Sequence, residues 1–176
     1  MSNLPATVTL VLGGARSGKS RHAESIITAQ PPPWLYVATA EEGDEEMTAR
    51  IAAHRARRGP EWRTVEAPRD LPGAIAAAPV GNAVLVDCLT LWLSNLMLGE
   101  ADVIAEAMRL DEVLAQTKVP IVLVSNEVGA GIVPDNALAR SFRDAQGRLN
   151  QQVAARAHRV VLMVAGVPLV VKWSEP

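Results

Sequence analysis

The chain has 176 residues, of which 49% are hydrophobic and 20% are charged, and this is typical of a soluble globular protein with one hydrophobic core. A formal net charge of −2 excludes the overall basic balance of proteins that bind DNA or RNA, so we expect no nucleic acid partner. One cysteine, Cys88, excludes an intramolecular disulfide and a cysteine-rich zinc site, and its apolar surroundings predict a buried thiol.

Short apolar runs alternate with longer segments of helical period, which predicts an α/β protein with a mainly parallel sheet. In chain order, the first predicted elements are a strand over VTLVL (8–12), a helix from about Lys19 to Ala29, a strand starting near Trp34 and a helix from the acidic stretch EEGDEEM to about Arg58. The segment EWRTVEA could form a short strand, and a strand over NAVLVDC (82–88) is followed by helical material through about Thr117. The last predicted elements are a strand over VPIVLVSNE (119–127), a helix from about Asn136 to Ala157 and two closing strands in RVVLMVAGVPLVVKW.

The two closing strands meet at Ala165–Gly166, which predicts a hairpin with an antiparallel edge strand. The chain shows no repeat, linker or composition shift, so we expect a single nucleotide-binding domain over residues 1–176. Its start lacks the basic pattern of a signal peptide, and no apolar run reaches the roughly 18 residues of a membrane helix. We therefore expect a cytoplasmic protein with no membrane span.

A phosphate-binding loop follows the first strand. The stretch GGARSGKS matches the pattern G-x-x-x-x-G-K-[ST] between a strand and a helix. Its residues are Gly13, Gly14, Ala15, Arg16, Ser17, Gly18, Lys19 and Ser20. Backbone N–H groups of such a loop surround phosphates, the lysine reaches the β- and γ-phosphates, and the serine hydroxyl binds Mg²⁺. The sequence therefore predicts nucleotide binding.

A second Mg²⁺ ligand normally lies at the end of an apolar strand, and Asp87 ends AVLVD. Its structural alternative is to cap a helix that begins at Leu89. Glu127, at the end of IVLVSNE, is a weaker candidate; it could act as a second acid or simply open the glycine loop that follows it.

Two motifs argue against a switch-type GTPase. The late strand ends in SNEV (125–128), which does not match the guanine-reading N-K-x-D pattern. DAQG (144–147) imitates the D-x-x-G element, but it lies inside a predicted helix rather than at a strand end. Phosphoryl transfer to a small molecule remains the favoured chemistry.

One histidine lies in an unusual crowd of arginines. In ARIAAHRARR, helical spacing puts Arg50, His54 and either Arg57 or Arg58 on one face. Nearby positive charge disfavours the imidazolium form, so His54 should stay neutral and able to attack phosphorus, while the arginines offset charge on the phosphoryl oxygens. The alternative is a solvated basic helix face with an incidental histidine.

The chain resembles the bifunctional adenosylcobinamide kinase/adenosylcobinamide-phosphate guanylyltransferase family of cobalamin biosynthesis. The blocks that carry the resemblance, in order, are GGARSGKSRHAE, LYVAT, ARIAAHRARR, WRTVEAP, VLVDCLTLWLSNL, VLVSNEVGAGIVPDNALARSFRD and GRLNQQVAARA. The resemblance implies phosphorylation of adenosylcobinamide with ATP or GTP. It then implies transfer of GMP from GTP to that phosphate through a GMP–histidine intermediate, with release of pyrophosphate.

The resemblance also implies site residues. His54 matches the family's histidine, and Ala53 stands where some relatives carry a second one. The nucleotide-contacting positions outside the phosphate loop match Ala38, Thr39, Ala40, Arg55, Ala56, Arg57, Arg58, Glu66 and Asp87. Mg²⁺ would be held by Ser20 and Asp87. The resemblance further implies a RecA-like P-loop fold and a homotrimer with its active site near a subunit boundary.

Two other functions stay open on the sequence. A monofunctional small-molecule kinase would use the phosphate loop without a covalent histidine. A regulatory module would bind nucleotide and hydrolyse it slowly. Two further histidines have simpler explanations, because His22 suits packing on the helix after the loop and His158 suits a helix C-terminus.

Overall fold

The structure is a computed structural model that describes residues 7–41 and 58–175. Its strands are β1 (Val8–Gly13), β2 (Trp34–Ala38), β3 (Trp62–Glu66), β4 (Val84–Asp87), β5 (Ile121–Asn126), β6 (Arg159–Val164) and β7 (Val167–Trp173). Its helices are α1 (Lys19–Thr28), α2 (Leu71–Ala76), α3 (Leu89–Leu98), α4 (Val103–Gln116) and α5 (Ala137–Arg156). The helix predicted from the acidic stretch to about Arg58 falls almost wholly outside the described residues.

The described strands form one sheet in the order β3-β2-β4-β5-β1-β6-β7. Every neighbouring pair is parallel except β6 and β7, which are antiparallel. The α/β class, the mainly parallel sheet and the antiparallel C-terminal edge strand are therefore confirmed. Since the parallel strands all point the same way, their carboxyl ends share one edge of the sheet, where open α/β sheets bind ligands.

Helices cover both faces of the sheet. Val11 of β1 packs in a core with Ala23 and Ile27 of α1. Val8 and Leu10 of the same strand belong to the core on the other face, with side chains of α2, α3, α4 and α5. A strand buried on both faces is expected to be apolar at consecutive positions, which is why VTLVL reads as a continuous run.

The structure adds detail to the predicted helices in two places. The helical material predicted through Thr117 is two helices, because the chain turns between Gly99, the C-cap of α3, and Asp102. The Asp102 carboxylate accepts hydrogen bonds from the N–H groups of Ile104 and Ala105 at 3.1 and 3.0 Å, which starts α4. Helix α2 was not predicted. Of the described helices, none has the length and apolarity to cross a membrane.

The C-terminal hairpin is confirmed at Ala165–Gly166. Both residues have positive φ, 50° and 82°, as the two central residues of a type I′ turn require. Strand β7 forms the edge of the sheet, and it exposes large apolar side chains. The most exposed are Val167 at 64%, Val171 at 62% and Trp173 at 68%.

Candidate active site at the carboxyl edge of the sheet

The predicted phosphate loop connects β1 to α1. Gly18, at the N-cap of the helix, has a φ of 92°, a left-handed conformation that glycine adopts without strain. The Lys19 ammonium group donates a hydrogen bond to the carbonyl oxygen of Gly14 at 3.0 Å, and the side chain is 8% exposed. The first N–H groups of a helix have no partner inside it, so the start of α1 is suited to bind phosphate oxygens.

Two distant segments support this loop from behind. The Glu127 N–H, just after β5, donates to the Gly13 carbonyl oxygen at 3.1 Å. The Gly166 N–H, in the β6–β7 turn, donates to the Ser17 carbonyl oxygen at 3.0 Å. A Cβ atom at Gly13 would press on the Ser17 hydroxyl and lie 2.9 Å from the Met163 carbonyl oxygen, so only glycine fits there. No sequence pattern indicated the contact between loop and hairpin.

Strand register brings the other predicted residues to the same edge. Asp87, at the end of β4, pairs with Ala38 at the end of β2, and Ala38 pairs with Glu66 at the end of β3. Gly13, where the phosphate loop begins, pairs with Asn126 at the end of β5. The structure thus aligns the ends of five parallel strands, and Glu66, Ala38, Asp87 and the phosphate loop all lie along one border of the sheet.

Thr39 holds the main chain around Asp87. Its buried hydroxyl donates to the Cys88 carbonyl oxygen at 2.7 Å and accepts from the Cys88 N–H at 2.8 Å. Its N–H donates to the Asp87 carbonyl oxygen at 3.3 Å, and its carbonyl oxygen accepts from the Asn95 amide at 2.8 Å. All the polar groups of Thr39 therefore bond to protein. Its nucleotide contact, and those of Ala38 and Ala40, stay predictions.

The Asp87 carboxylate is half-buried and bonded to a tyrosine. The Tyr36 hydroxyl donates to Oδ2 of Asp87 at 3.2 Å. Helix α3 begins at Leu89, but its N-cap residue is Cys88, which makes no side-chain cap. The helix-capping alternative for Asp87 is therefore wrong, because the chain turns into the helix one residue later.

The Glu127 side chain stabilises the start of the loop that follows β5. Its carboxylate accepts a hydrogen bond from the Gly129 N–H at 2.5 Å, while its N–H bonds to the phosphate loop. Of the two alternatives for this residue, the geometry favours the structural one. Asp87, at the end of β4, stays the predicted acid for Mg²⁺.

The donor set at this edge suits a magnesium ion that arrives with a nucleotide. The Ser20 hydroxyl lies in the first turn of α1 and the Asp87 carboxylate at the end of β4, and both supply the oxygen donors that Mg²⁺ prefers. Mg²⁺ usually keeps several waters and takes one or two protein ligands together with phosphate oxygens. Across residues 7–41 and 58–175, no three His, Cys, Asp or Glu side chains cluster as a metal site. The magnesium role stays a prediction.

Four of the predicted site residues lie outside the described part of the chain: His54, Arg55, Ala56 and Arg57. Arg58 is described, and its guanidinium carbon lies 3.1 Å from the centroid of the Tyr36 ring. Such a contact is a cation–π interaction, which stabilises a partly buried arginine.

A buried polar network positions the end of β5, and no pattern in the sequence predicted it. The Gln146 amide of α5 donates to the Ser125 hydroxyl and to the Asn150 side-chain oxygen, each at 3.0 Å. Ser125 donates to the same oxygen at 2.7 Å, and the Asn150 amide donates to the Asn126 carbonyl at 3.1 Å. Three of these hydrogen bonds thus tie the end of β5 to α5 beside Gly13, while the buried Gln146 Oε1 accepts no hydrogen bond from the described residues.

Two titratable groups near the site are held uncharged. Burial, followed by the charge of Asp87, raises the pKa of the Cys88 thiol to about 11. Burial, followed by the charge of Arg159, lowers the pKa of His22, so its imidazole is neutral at pH 7. The predicted buried thiol is confirmed, and the packing explanation for His22 agrees with this environment.

His158 has a different role from the one expected, because its Nδ1 accepts a hydrogen bond from the Val8 N–H at 3.1 Å.

Solved structures share this fold at low sequence identity. The flagellar accessory protein FlaH from Methanocaldococcus jannaschii matches 97% of this chain and 80% of its own with a TM-score of 0.53 and 11% identity. The RadB recombinase matches 90% of this chain and 74% of its own with a TM-score of 0.52 and 17% identity. These likenesses show the fold alone, and it is the RecA-like, mainly parallel α/β fold that the resemblance implies.

Sequence comparison is more specific. The family model described as cobinamide kinase / cobinamide phosphate guanyltransferase matches residues 9–171. The bifunctional adenosylcobalamin biosynthesis protein CobP of Pseudomonas aeruginosa is 47% identical over 95% of this chain and 98% of its own length. The bifunctional adenosylcobalamin biosynthesis protein CobU of Salmonella typhimurium is 44% identical over 93% and 98%. The chain therefore belongs to the cobinamide kinase / cobinamide phosphate guanyltransferase family of enzymes.

Proposed function

We propose that this enzyme phosphorylates adenosylcobinamide with ATP or GTP and then transfers GMP from GTP to the new phosphate, giving adenosylcobinamide-GDP and pyrophosphate. The observation that supports it most is the convergence of a complete phosphate loop and Asp87 on one edge of the sheet, in a chain of this family. Both half-reactions displace a phosphorus–oxygen bond of a nucleoside triphosphate. One site that orients a triphosphate serves either.

In the kinase step, the substrate hydroxyl oxygen attacks the γ-phosphorus, the bond from that phosphorus to the β–γ bridging oxygen breaks, and the nucleoside diphosphate leaves. Catalysis of this kind is mostly positioning and charge stabilisation. N–H groups of the loop and the Lys19 ammonium group hold the phosphate chain, and the Ser20 and Asp87 oxygens would hold Mg²⁺. That ion, when bound, offsets charge that gathers on the phosphate oxygens.

In the guanylyltransferase step, the His54 imidazole nitrogen attacks the α-phosphorus of GTP and pyrophosphate leaves. A phosphate oxygen of adenosylcobinamide phosphate then attacks the GMP–histidine, and the phosphorus–nitrogen bond breaks. The support is the sequence around His54, where neighbouring arginines favour a neutral imidazole and offset phosphoryl charge. Arg55 to Arg58 are the candidates for that second task.

Labelled GTP tests the proposal and separates it from the two alternatives. Wild-type protein is mixed with Mg²⁺ and GTP labelled at the α- or the γ-phosphorus, with and without adenosylcobinamide. We expect α-label on the protein in an acid-labile, alkali-stable form, because a phosphoramidate has these properties. We expect γ-label on adenosylcobinamide.

His54→Ala should lose the protein-bound α-label and keep part of the γ-transfer, since the kinase step has no use for a covalent histidine. The matched control is His22→Ala, which removes another histidine and should keep the adduct. Transfer of γ-label alone in the wild type would identify a monofunctional kinase. Nucleotide binding without either transfer would identify a regulatory module.

We also propose that the enzyme works as a homo-oligomer, a trimer by resemblance, and that strand β7 takes part in the contact. Edge strands that expose a row of apolar side chains favour association with another chain. Leu169 is 56% exposed and Val171 62% exposed on this strand. Sedimentation of the wild type should give the trimer mass, and Leu169→Lys combined with Val171→Lys should give a smaller species. A monomeric wild type would contradict this.

We propose, in addition, that the enzyme works in the cytoplasm.

A further inference from the structure

One tyrosine side chain joins two parts of the site. Tyr36 lies in the middle of β2 and is only 6% exposed. Its hydroxyl donates to Asp87, 51 residues further along the chain, at 3.2 Å. One face of its ring lies 3.1 Å from the guanidinium carbon of Arg58. Trp62 of β3 packs edge-on against the ring, with centroids 6.3 Å apart.

The direction of the bond to Asp87 follows from the chemistry of the two groups. The Tyr36 hydroxyl supplies an O–H donor, and an ionised carboxylate can only accept, so the tyrosine donates and Asp87 accepts.

We propose that Tyr36 is a positioning residue. It orients the Asp87 carboxylate through its hydroxyl and holds the Arg58 guanidinium group over its ring face. The inference rests on the proposed function only in taking Asp87 as the magnesium-holding acid. The two contacts place an acid at the hydroxyl and a cation over the ring face of one rigid side chain. A hydrogen bond from the hydroxyl restricts rotation of the carboxylate, and metal binding needs a fixed carboxylate orientation.

The rest of the surroundings explains why Tyr36 itself does not move. The ring is enclosed by Trp62, which in turn packs against Trp34 with centroids 5.3 Å apart. The Trp34 indole N–H donates to the Gln30 carbonyl oxygen at 2.8 Å, which fixes this aromatic group to the end of α1. Thr39 separately holds the main chain of Asp87 through its N–H and that of Cys88 through its hydroxyl. The tyrosine therefore controls the carboxylate orientation and not the path of the strand.

The first test measures metal binding rather than turnover. Mn²⁺ replaces Mg²⁺ as a paramagnetic probe, and its binding to the protein–GTP complex is followed by electron paramagnetic resonance. Tyr36→Phe keeps the ring and removes the hydroxyl. We expect it to weaken Mn²⁺ binding about 3- to 10-fold, the loss of one hydrogen bond of ordinary strength, and to leave binding of GTP in EDTA unchanged.

Two comparisons make this result specific. Asp87→Asn should weaken Mn²⁺ binding more, and adding Tyr36→Phe to it should cost little further, because the hydroxyl acts through the carboxylate. Thr117→Val removes a hydroxyl that bonds to the Val119 carbonyl oxygen before the start of β5, away from Asp87, and it should bind Mn²⁺ like the wild type. Wild-type Mn²⁺ binding by Tyr36→Phe, or equal loss of metal-free GTP binding, would overturn the proposal.

The contact between the Tyr36 ring and Arg58 is tested by a second comparison. Tyr36→Leu removes both the hydroxyl and the ring, so Arg58 loses its cation–π contact. Metal-free GTP binding should fall in Tyr36→Leu and not in Tyr36→Phe. Identical metal-free binding by the two variants would remove Arg58 from the inference.

A second measurement needs no substitution of Tyr36. It is the only tyrosine in the chain, so biosynthetic 3-fluorotyrosine gives one ¹⁹F resonance. We expect that resonance to shift when Mg²⁺ is added to the GTP complex, and not to shift in Asp87→Asn. No response to Mg²⁺ in the otherwise wild-type protein would contradict the proposal. These readouts do not involve adenosylcobinamide, so a failure of the proposed function leaves them interpretable.

Discussion

The two ends of the active-site edge are built in different ways. The phosphate-loop end is one continuous stretch from Gly13 to Ser20, and it works mainly through backbone groups. The acidic end is assembled from side chains of separate segments, with Thr39 and Tyr36 of the β2 region holding Asp87 of β4. A backbone site needs glycine where side chains would not fit, whereas a side-chain site needs hydrogen bonds that keep one carboxylate in place.

Removing the lysine of the loop should have the largest effect. Lys19→Ala is expected to lower kcat/KM of both half-reactions by on the order of 1000-fold, because both depend on the same triphosphate position. Each half-reaction is measured separately with labelled GTP, and circular dichroism checks the fold. Loss of one activity alone would show that two nucleotide sites exist, and it would break the comparison.

The acidic end should be closed to reagents in solution. Because the pKa of Cys88 is raised to about 11, the thiol is almost fully protonated at pH 8. A cysteine of ordinary pKa would react on the order of 100-fold faster with a thiol reagent such as dithionitrobenzoate. Fast colour development should appear only after unfolding in guanidinium. Rapid reaction of the native protein at pH 8 would show that this end is open.

The hydrogen bonds of Thr39 test the side-chain end. Thr39→Val keeps the shape but leaves the buried N–H and carbonyl groups of Cys88 without their partner. We expect a loss of about 2–4 kcal/mol in the free energy of unfolding, since each unsatisfied buried group costs about 1–3 kcal/mol. Urea denaturation measures it. Thr39→Ser retains the hydroxyl and should lose far less; equal losses would point to the methyl group instead.

Paired glycines test the backbone end. Gly13→Ala places a Cβ 2.9 Å from the Met163 carbonyl oxygen, and we expect it to destabilise the protein by about 1–3 kcal/mol through overpacking. At Gly14 the added Cβ meets no atom within 4 Å, so Gly14→Ala is the matched control for stability. Unfolding curves that coincide for the two variants would mean that the loop yields, contrary to a rigid backbone site.

The smallest effect should come from the hairpin turn. Ala165 has a φ of 50°, which is strained for alanine and favourable for asparagine. Ala165→Asn creates the Asn-Gly pair preferred in type I′ turns, and we expect a gain of roughly 0.5–1 kcal/mol in stability. Thermal unfolding checks it, and a decrease in Tm would mean that the turn is unstrained.

Features that depend on contiguous residues were predictable from the sequence. The buried strands read as apolar runs, and the phosphate loop reads as a motif with a strand before it and a helix after it. Helix α2 was missed because Pro72 and Gly73 look like breakers, yet proline suits a first turn and Asp70 caps the Gly73 N–H at 3.1 Å. The helical material predicted through Thr117 was not divided into α3 and α4, because the periodic pattern does not show where the chain turns between two helices.

Features that depend on pairing between distant segments were not predictable. The strand order decides that Tyr36 lies beside Asp87, and a sequence without that order gives no reason to connect residues 51 apart. The same holds for the network of Gln146, Asn150 and Ser125. A buried polar residue in a helix can be recognised as unusual, but its partner is known only when the helix is packed.

The bond from Gly166 to Ser17 makes the last two strands part of the nucleotide site. A fragment that stops before β6 would still contain every residue of the phosphate-loop motif, yet it would lack the Gly166 N–H that hydrogen-bonds to the loop. A complete motif therefore does not guarantee a correctly supported phosphate loop in shortened forms of this chain. Protein engineers who attach a reporter after Trp173 should for the same reason use a spacer that does not pull the hairpin away.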